Sequence, residues 1–244
     1  MKNIFNKITK QIEENKNIII IAHKGMDLDA IGSSLCLYKI VQSFNKNPYI
    51  FLDDIDNNKI IKKTIEKLNE KKTKIKFIMQ EDLVKFNSKN TLVAVLDTNK
   101  KSLLGYSKIV EDFDKIIVID HHIKSDDQIE NPIFSYIDNS KSSATEIIAA
   151  YLKSLNLKIE PIIATIMLAG IEVDTNEFNI KTSPKTFKTA AYLLELGANN
   201  IDKQNLLKEN KENFGVCPLA YYQKAKQYIA SQYPKATFFV FSDD

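Results

Sequence analysis

Cysteine is scarce in this chain of 244 residues: there are two, Cys36 and Cys217. Neither has a second cysteine close by, which excludes a C-x-x-C zinc site. Cys36 falls inside an apolar helical pattern, where a thiol is buried rather than reactive. Usage this low predicts a reducing, intracellular compartment, hence a cytoplasmic location. No apolar run approaches the ~20 residues that span a bilayer. The first 16 residues are polar and amphipathic, with Ile4, Phe5, Ile8 and Ile12 on one helical face, and lack the apolar core of a signal peptide. A soluble protein without a membrane segment is expected. Also missing are a Gly/Ser linker, an internal repeat and a low-complexity tract. Charge of one sign is missing too. With 34 basic and 31 acidic residues the formal net charge is +3, short of the basic footprint of a dedicated nucleic-acid binder. No long nucleic acid is expected as partner. Histidine occurs three times, as His23, His121 and His122.

What is present is a substantial core. Hydrophobic residues make up 44% of the chain and charged ones 27%, a composition for one large domain or one domain with a small appendage. Four consecutive isoleucines from Ile18, then Ala22, read as a strand buried on both faces, as strands of parallel sheets do. Further strands are expected at 49–53, 75–79, 91–96 and 115–119, with helices at 29–41 and 59–68 between them. This alternation predicts an α/β fold, a doubly wound parallel sheet flanked by helices. From Ser142 onward the pattern turns helical, at 144–155, 162–171, 186–196, 204–213 and 218–232. Gly197 is placed as the C-cap signal of the third. A last apolar strand is expected at 236–241.

Three of the buried strands end in residues able to hold a metal. The first is followed by His23, Asp27 and Asp29, another by Asp97, and a third by Asp120, His121 and His122. Ligands in open α/β sheets bind beyond the carboxyl ends of strands, and imidazole with carboxylate suits Mn²⁺ or Zn²⁺. Each piece has a plainer reading. Asp27 and Asp29 could cap the following helix, Asp97-Thr98-Asn99 could be an Asx-turn, and a single histidine could be a hydrogen-bonded core residue. Asp53 and Asp54 follow a strand without a histidine partner and read as loop carboxylates. Asp174, at the end of the apolar helix 162–171, would sit unfavourably against the dipole unless a cation lay beside it. Taken together, three strand ends that hold every histidine of the chain point to one two-metal centre. Asp97, central among them, could bridge two ions about 3.5–4 Å apart around a shared water. No thiolate is on offer, so the shell favours Mn²⁺ over Zn²⁺.

These residues resemble the DHH phosphoesterase superfamily. The order His23-x-x-x-Asp27-x-Asp29-Ala-Ile-Gly-Ser, then strand-Asp97-Thr, then Asp120-His121-His122, then Gly170-Ile-x-x-Asp174-Thr matches its motifs from about Ile18 to Phe214. The resemblance implies one metal on His23, Asp27 and Asp97 and a second on Asp29, Asp97, His121 and Asp174. These would be two Mn²⁺ ions, with Mg²⁺ or Co²⁺ as substitutes. It implies catalytic roles for Asp97, for His122 facing the substrate phosphate and for Asp120 orienting a histidine. It also implies substrate contacts from His122, Ser143 and Lys185.

Within the superfamily, the Met26-Asp27-Leu28-Asp29 step, Ser142-Ser143-Ala-Thr-Glu146 and Asp174-Thr-Asn-Glu-Phe178 look like the catalytic domain of bacterial cyclic-di-AMP phosphodiesterases. The implied reaction is hydrolysis of one phosphodiester to linear pApA. Residues 1–214 would be the catalytic domain. Residues 215–244 would be a connecting helix and the first strand of a truncated C-terminal associated domain, whose Gly-Gly-rich loop is not present. Lys181 and Lys185 stand where that branch more often has arginines, losing bidentate phosphate recognition. The alternatives are a nanoRNA exonuclease or pAp phosphatase on the same site, and a non-catalytic nucleotide-binding module or half of a split enzyme. The expected partners are a cyclic dinucleotide or short oligonucleotide, together with a homodimer mate or a separately encoded C-terminal domain.

Overall fold

The isoleucine run forms β1 (Asn17–Ile21), and it is buried on both faces as its composition demands. Ile18 and Ile20 point into one apolar cluster, Ile19 and Ile21 into another. The same split recurs in β4 (Thr91–Leu96) and β5 (Ile116–Asp120). With two faces to bury, each strand must be apolar at consecutive positions. The computed structural model describes residues 2–53, 55–124, 126–214 and 226–231.

Six parallel strands make one sheet in the order β3-β2-β1-β4-β5-β6, with β2 at Asn47–Phe51, β3 at Phe77–Ile78 and β6 at Phe134–Ile137. The chain starts in the middle, builds outward through β2 and β3, and then returns to the far side of β1 to lay down β4, β5 and β6. The expected doubly wound sheet is therefore present. Its cover is unequal. One face carries the larger core, shared by α1 (Lys2–Glu13), α2 (Leu28–Ser43), α3 (Lys59–Glu70), α5 (Ala144–Ser154), α6 (Pro161–Asp174), α7 (Pro184–Glu195) and α8 (Asn200–Phe214). The other is sealed by short pieces: Leu83 from a 3₁₀ turn at Gln80–Lys85, and Ile109 from α4 (Ile109–Asp112).

Two strand expectations needed correction. The stretch 75–79 pairs only through Phe77 and Ile78. The edge strand β6 was not anticipated, because Phe-Ser-Tyr-Ile is half-exposed and lacks a continuous apolar run. Gly197 ends α7 in the left-handed region, with φ 94°, as a C-cap glycine does. Of the expected helix 218–232, residues 226–231 are described and helical, while the strand expected at 236–241 and Cys217 lie outside the described residues. Among the described residues no helix is long and apolar enough to cross a membrane.

A close approach of two helix backbones sets up the site. A Cβ built on Gly170 of α6 would lie 2.7 Å from the Leu28 carbonyl oxygen and 2.9 Å from Asp29 Cα. Only glycine lets the two backbones approach so closely. Asp174, one helical turn further on, is thereby carried to the side of α2 that bears Asp29.

Candidate metal centre

Chain order reverses between β1 and β4, and loops leaving adjacent strands in opposite directions open a crevice at that point. His23 follows β1, Asp97 follows β4 and Asp120 closes β5, three neighbouring strand ends. Asp97 lies in the left-handed region with φ 58°, a conformation Asp tolerates better than most residues. The turn beyond it is fastened by Thr98, whose hydroxyl accepts from the Lys100 amide at 3.2 Å. The Asp97 carboxylate is thus not spent on an Asx-turn.

Three overlapping sets of candidate ligand atoms converge there, each within 4.8 Å of one another: His23, Asp27 and Asp97; Asp29, Asp97, His121 and Asp174; and Asp97, Asp120, His121 and His122. His23 Nε2 is 3.5 Å from Asp97 Oδ2 and 3.8 Å from Asp27 Oδ1. His121 Nε2 is 3.0 Å from Asp174 Oδ2, 3.2 Å from Asp97 Oδ1 and 3.8 Å from Asp29 Oδ2. Despite these approaches, Asp97 Oδ1 and both ring nitrogens of His121 are buried without a hydrogen bond among the described residues. Buried polar atoms left unpaired cost free energy, and a cation between them is what this donor set fits. All the candidate ligands are imidazole or carboxylate, as a hard or borderline divalent ion requires.

Other groups fix the candidate ligands in place. His23 Nδ1 faces the Lys24 carbonyl at 3.0 Å, so it is the donor nitrogen and Nε2 is turned to the carboxylates. Asp27 does cap α2, Oδ1 accepting from the Asp29 and Ala30 amides at 2.9 and 3.0 Å, so the capping and ligand placements coincide. Asp29 reaches across to a different helix. Its two oxygens accept from the Ala144 and Thr145 amides at the start of α5, at 2.7 and 2.8 Å. Asp120 Oδ1 takes the amides of His121 and His122 and the His122 Nδ1 at 2.8 Å, while Oδ2 takes Asn99 Nδ2 at 2.5 Å.

Electrostatics follow from this crowding. Burial opposes the charging of His121, but Asp174 and Asp97 outweigh it and raise the ring to about 11. Burial is likewise overcome at His23 by Asp27 and Asp97, again to about 11. Asp97 is held well below the usual carboxylate range by His121 and His23 against its own burial. Burial raises Asp174 to about 6, His121 opposing and Asp97 and Asp27 adding to the rise. Burial and the Asp97 and Asp174 charges push Asp29 well up. With no stronger cation beside them, Asp29 and Asp174 are the carboxylates pushed toward their protonated forms.

The crevice opens into a cavity of about 540 Å³ lined by His23, Asp27, Asp97, His121, His122 and Asp174, with Thr98, Asn99, Lys100, Leu103, Ile123, Asn139 and Lys181 completing the wall. Asp29 and Asp120 lie behind it, fully buried. Two residues expected to contact substrate are elsewhere. Ser143 is buried, and its hydroxyl caps α5 on the Glu146 amide at 3.0 Å. The pattern Ser143-Ala-Thr-Glu146 is that of a capping box, which was the available signal. Glu146 completes it one residue off, accepting from Ser142, Lys141 and Thr186. Lys185 faces a separate hollow between α5 and α7. Asn99 was overlooked as the partner of Asp120, and so was the α5 N-terminus as the seat of Asp29.

Residues 17–171 match the DHH family, N-terminal domain. The chain is 32% identical over 214 residues to the cyclic-di-AMP phosphodiesterase GdpP of Bacillus subtilis, covering 86% of this chain and 32% of that one. It is 30% identical over 184 residues to the bifunctional oligoribonuclease and PAP phosphatase NrnA of Thermus thermophilus, covering 74% and 50%. The chain thus spans about a third of the first of these relatives and half of the second. An exopolyphosphatase-related protein from Bacteroides fragilis shares the fold, with a TM-score of 0.70 at 20% identity over 95% of this chain and 65% of that one.

Proposed function

Since this chain belongs to the DHH family, we propose that it is a divalent-metal-dependent phosphodiesterase that hydrolyses cyclic-di-AMP to linear pApA. One observation carries the reading. Asp97 is common to all three converging sets of candidate ligands and keeps a buried oxygen without a hydrogen bond among the described residues. In this reading His23 and Asp27 hold one ion with Asp97, and Asp29, His121 and Asp174 hold the other. Mn²⁺ suits the donors best, with Mg²⁺ or Co²⁺ able to replace it. When bound, such a pair supplies Lewis acidity that makes water nucleophilic at neutral pH and offsets charge on the phosphoryl oxygens.

The remaining work belongs to the chain itself. Asp120 can only accept at His122 Nδ1, so that nitrogen carries a proton and Nε2 is left free; with Nε2 protonated as well, the ring would donate to a phosphate oxygen. Asn99 keeps Asp120 aimed by holding its other oxygen. Lys100 and Lys181 line the cavity, form no ion pair among the described residues, and would draw a phosphodiester toward the histidines by their charge.

Likeness to the oligoribonuclease and PAP phosphatase favours a second reading, cleavage of short linear oligonucleotides or pAp on the same site. The test is hydrolysis by the purified chain with Mn²⁺ or with EDTA, comparing cyclic-di-AMP, pApA and pAp, and Asp97→Ala as control. Metal-dependent release of pApA from the cyclic substrate, abolished by Asp97→Ala, is the expected result. Faster turnover of pApA or pAp moves the chain to the second reading. Mn²⁺ binding without turnover of any of them overturns the enzymatic reading in favour of a binding module.

A further inference from the structure

Among the residues that line the cavity, two are apolar: Leu103, 38% exposed, and Ile123, 75% exposed. Isolated exposed apolar residues need no explanation. Two of them in one otherwise polar cavity, with Ile123 directly following His122, call for one. Neither offers anything to a phosphate. Both sit on backbone tied to the centre. The Leu103 carbonyl accepts from the Lys24 amide at 2.7 Å, next to His23. The residue before Ile123 has its amide and ring on Asp120. Both side chains therefore flank the same cavity that His23, His121 and His122 line.

The polar remainder of the wall supplies a complement. Asn139 is exposed, lines the same cavity and makes no hydrogen bond among the described residues. Its amide presents one acceptor and two donors, the pattern that pairs with the edge of an adenine. A volume of about 540 Å³ falls within the range of small-molecule sites, which combine apolar walls with a few placed polar groups. We propose that Ile123 and Leu103 seat the nucleobase adjoining the scissile phosphate, with the Asn139 amide at the base edge. They would make this end of the cavity the part that tells a nucleotide from a bare sugar phosphate. The inference rests on the phosphodiesterase reading above and assigns its substrate-recognising residues.

The test measures binding rather than turnover. Isothermal titration of the Mn²⁺-loaded chain with AMP and with ribose 5-phosphate, which lacks only the base, reads the base contribution directly. Wild type is expected to bind AMP at least about tenfold more tightly, equivalent to about 1.4 kcal/mol. Ile123→Ser, and more fully Ile123→Ser with Leu103→Ser, should collapse that ratio toward unity, the loss falling on AMP. Both positions are exposed, so folding is not at stake. Equal affinity for the two ligands in wild type, or a ratio unchanged in the double variant, overturns the proposal and leaves the phosphate site standing. If neither ligand binds, the phosphodiesterase reading falls with it.

Discussion

Asp120 carries more of the geometry than a buried carboxylate usually does. Three contacts reach its Oδ1 and one, from Asn99, its Oδ2. Burial opposes its ionisation, and His122 and Asn99 overcome this and keep it below the usual carboxylate range. Asn99 is itself buried, and its own oxygen has no hydrogen bond among the described residues. Replacing it with leucine keeps the volume and strands one oxygen of a buried anion, which costs about 1–3 kcal/mol or more. With Oδ2 released, the carboxylate can rotate and His122 loses its fixed orientation. Asn99→Leu should therefore lower turnover at least about tenfold while Mn²⁺ affinity stays within about twofold, because no proposed ligand is removed. Parallel titration calorimetry and kinetics check the split. Loss of metal binding in step with activity would place Asn99 in the ligand cage instead. The convergence of the candidate ligands was legible in the sequence because strand ends are legible, and every histidine stood at one. Asn99 was not. A neutral amide two residues past Asp97 looks like turn chemistry until the fold brings Asp120 to it.

At the level of elements, the site is an assembly of helix ends as much as of strand ends. Asp29 belongs to the first turn of α2 yet neutralises the first turn of α5, and Asp174 leaves the last turn of α6. That cross-linking was hidden in the sequence, since nothing in the pattern of α2 or α5 tells which helix N-terminus a carboxylate will meet. Ser143 was misplaced for the same reason: the helix start was readable, but its burial was set by the packing of α5. The α2–α6 contact, by contrast, closes at glycines: Gly32 of α2 against the α6 backbone at Met167 and, tighter still, Gly170 of α6 against Leu28 and Asp29. Gly170→Ala gains up to about 1 kcal/mol of helix propensity, but a methyl within 3 Å of two backbone atoms of α2 forces the helices apart. Overpacking of this kind costs about 1–3 kcal/mol, so the variant should be less stable by thermal melting. Its larger effect is expected on metal. Asp174 would drift from His121, now 3.0 Å away, and Mn²⁺ affinity should fall about tenfold or more. A variant with a lowered melting temperature and unaltered Mn²⁺ affinity would show that Asp174 is placed independently of this contact.

Across the whole molecule, the fold gathers Asp27, Asp29, Asp97, Asp120 and Asp174 around three histidines, and in the metal-free chain protons retained on His23, His121 and Asp174 offset part of that charge. His23 and His121, both raised to about 11, stabilise the metal-free fold fully below the unfolded value of about 6.5. That contribution drains away as pH climbs toward the folded value. Asp174, raised to about 6, acts in the same direction lower down. The unfolded chain ionises it from about 4 upward while the folded one resists. Metal-free protein should therefore lose stability as pH rises from 4 through 8. A divalent ion takes the place of those protons, so its apparent affinity must rise with pH, tenfold per unit for each proton displaced, or about 1.4 kcal/mol. For a chain of this size that corresponds to about 3–5 °C in melting temperature. The gap between melting temperatures in Mn²⁺ and in EDTA should widen by roughly 6–10 °C between pH 6 and pH 8 for each proton displaced. Calorimetric titration in buffers of different ionisation enthalpy should register at least one proton released per ion. A gap that does not change with pH would mean that the histidines are neutral before the metal arrives, and that the carboxylates are balanced by something other than the imidazoles beside them.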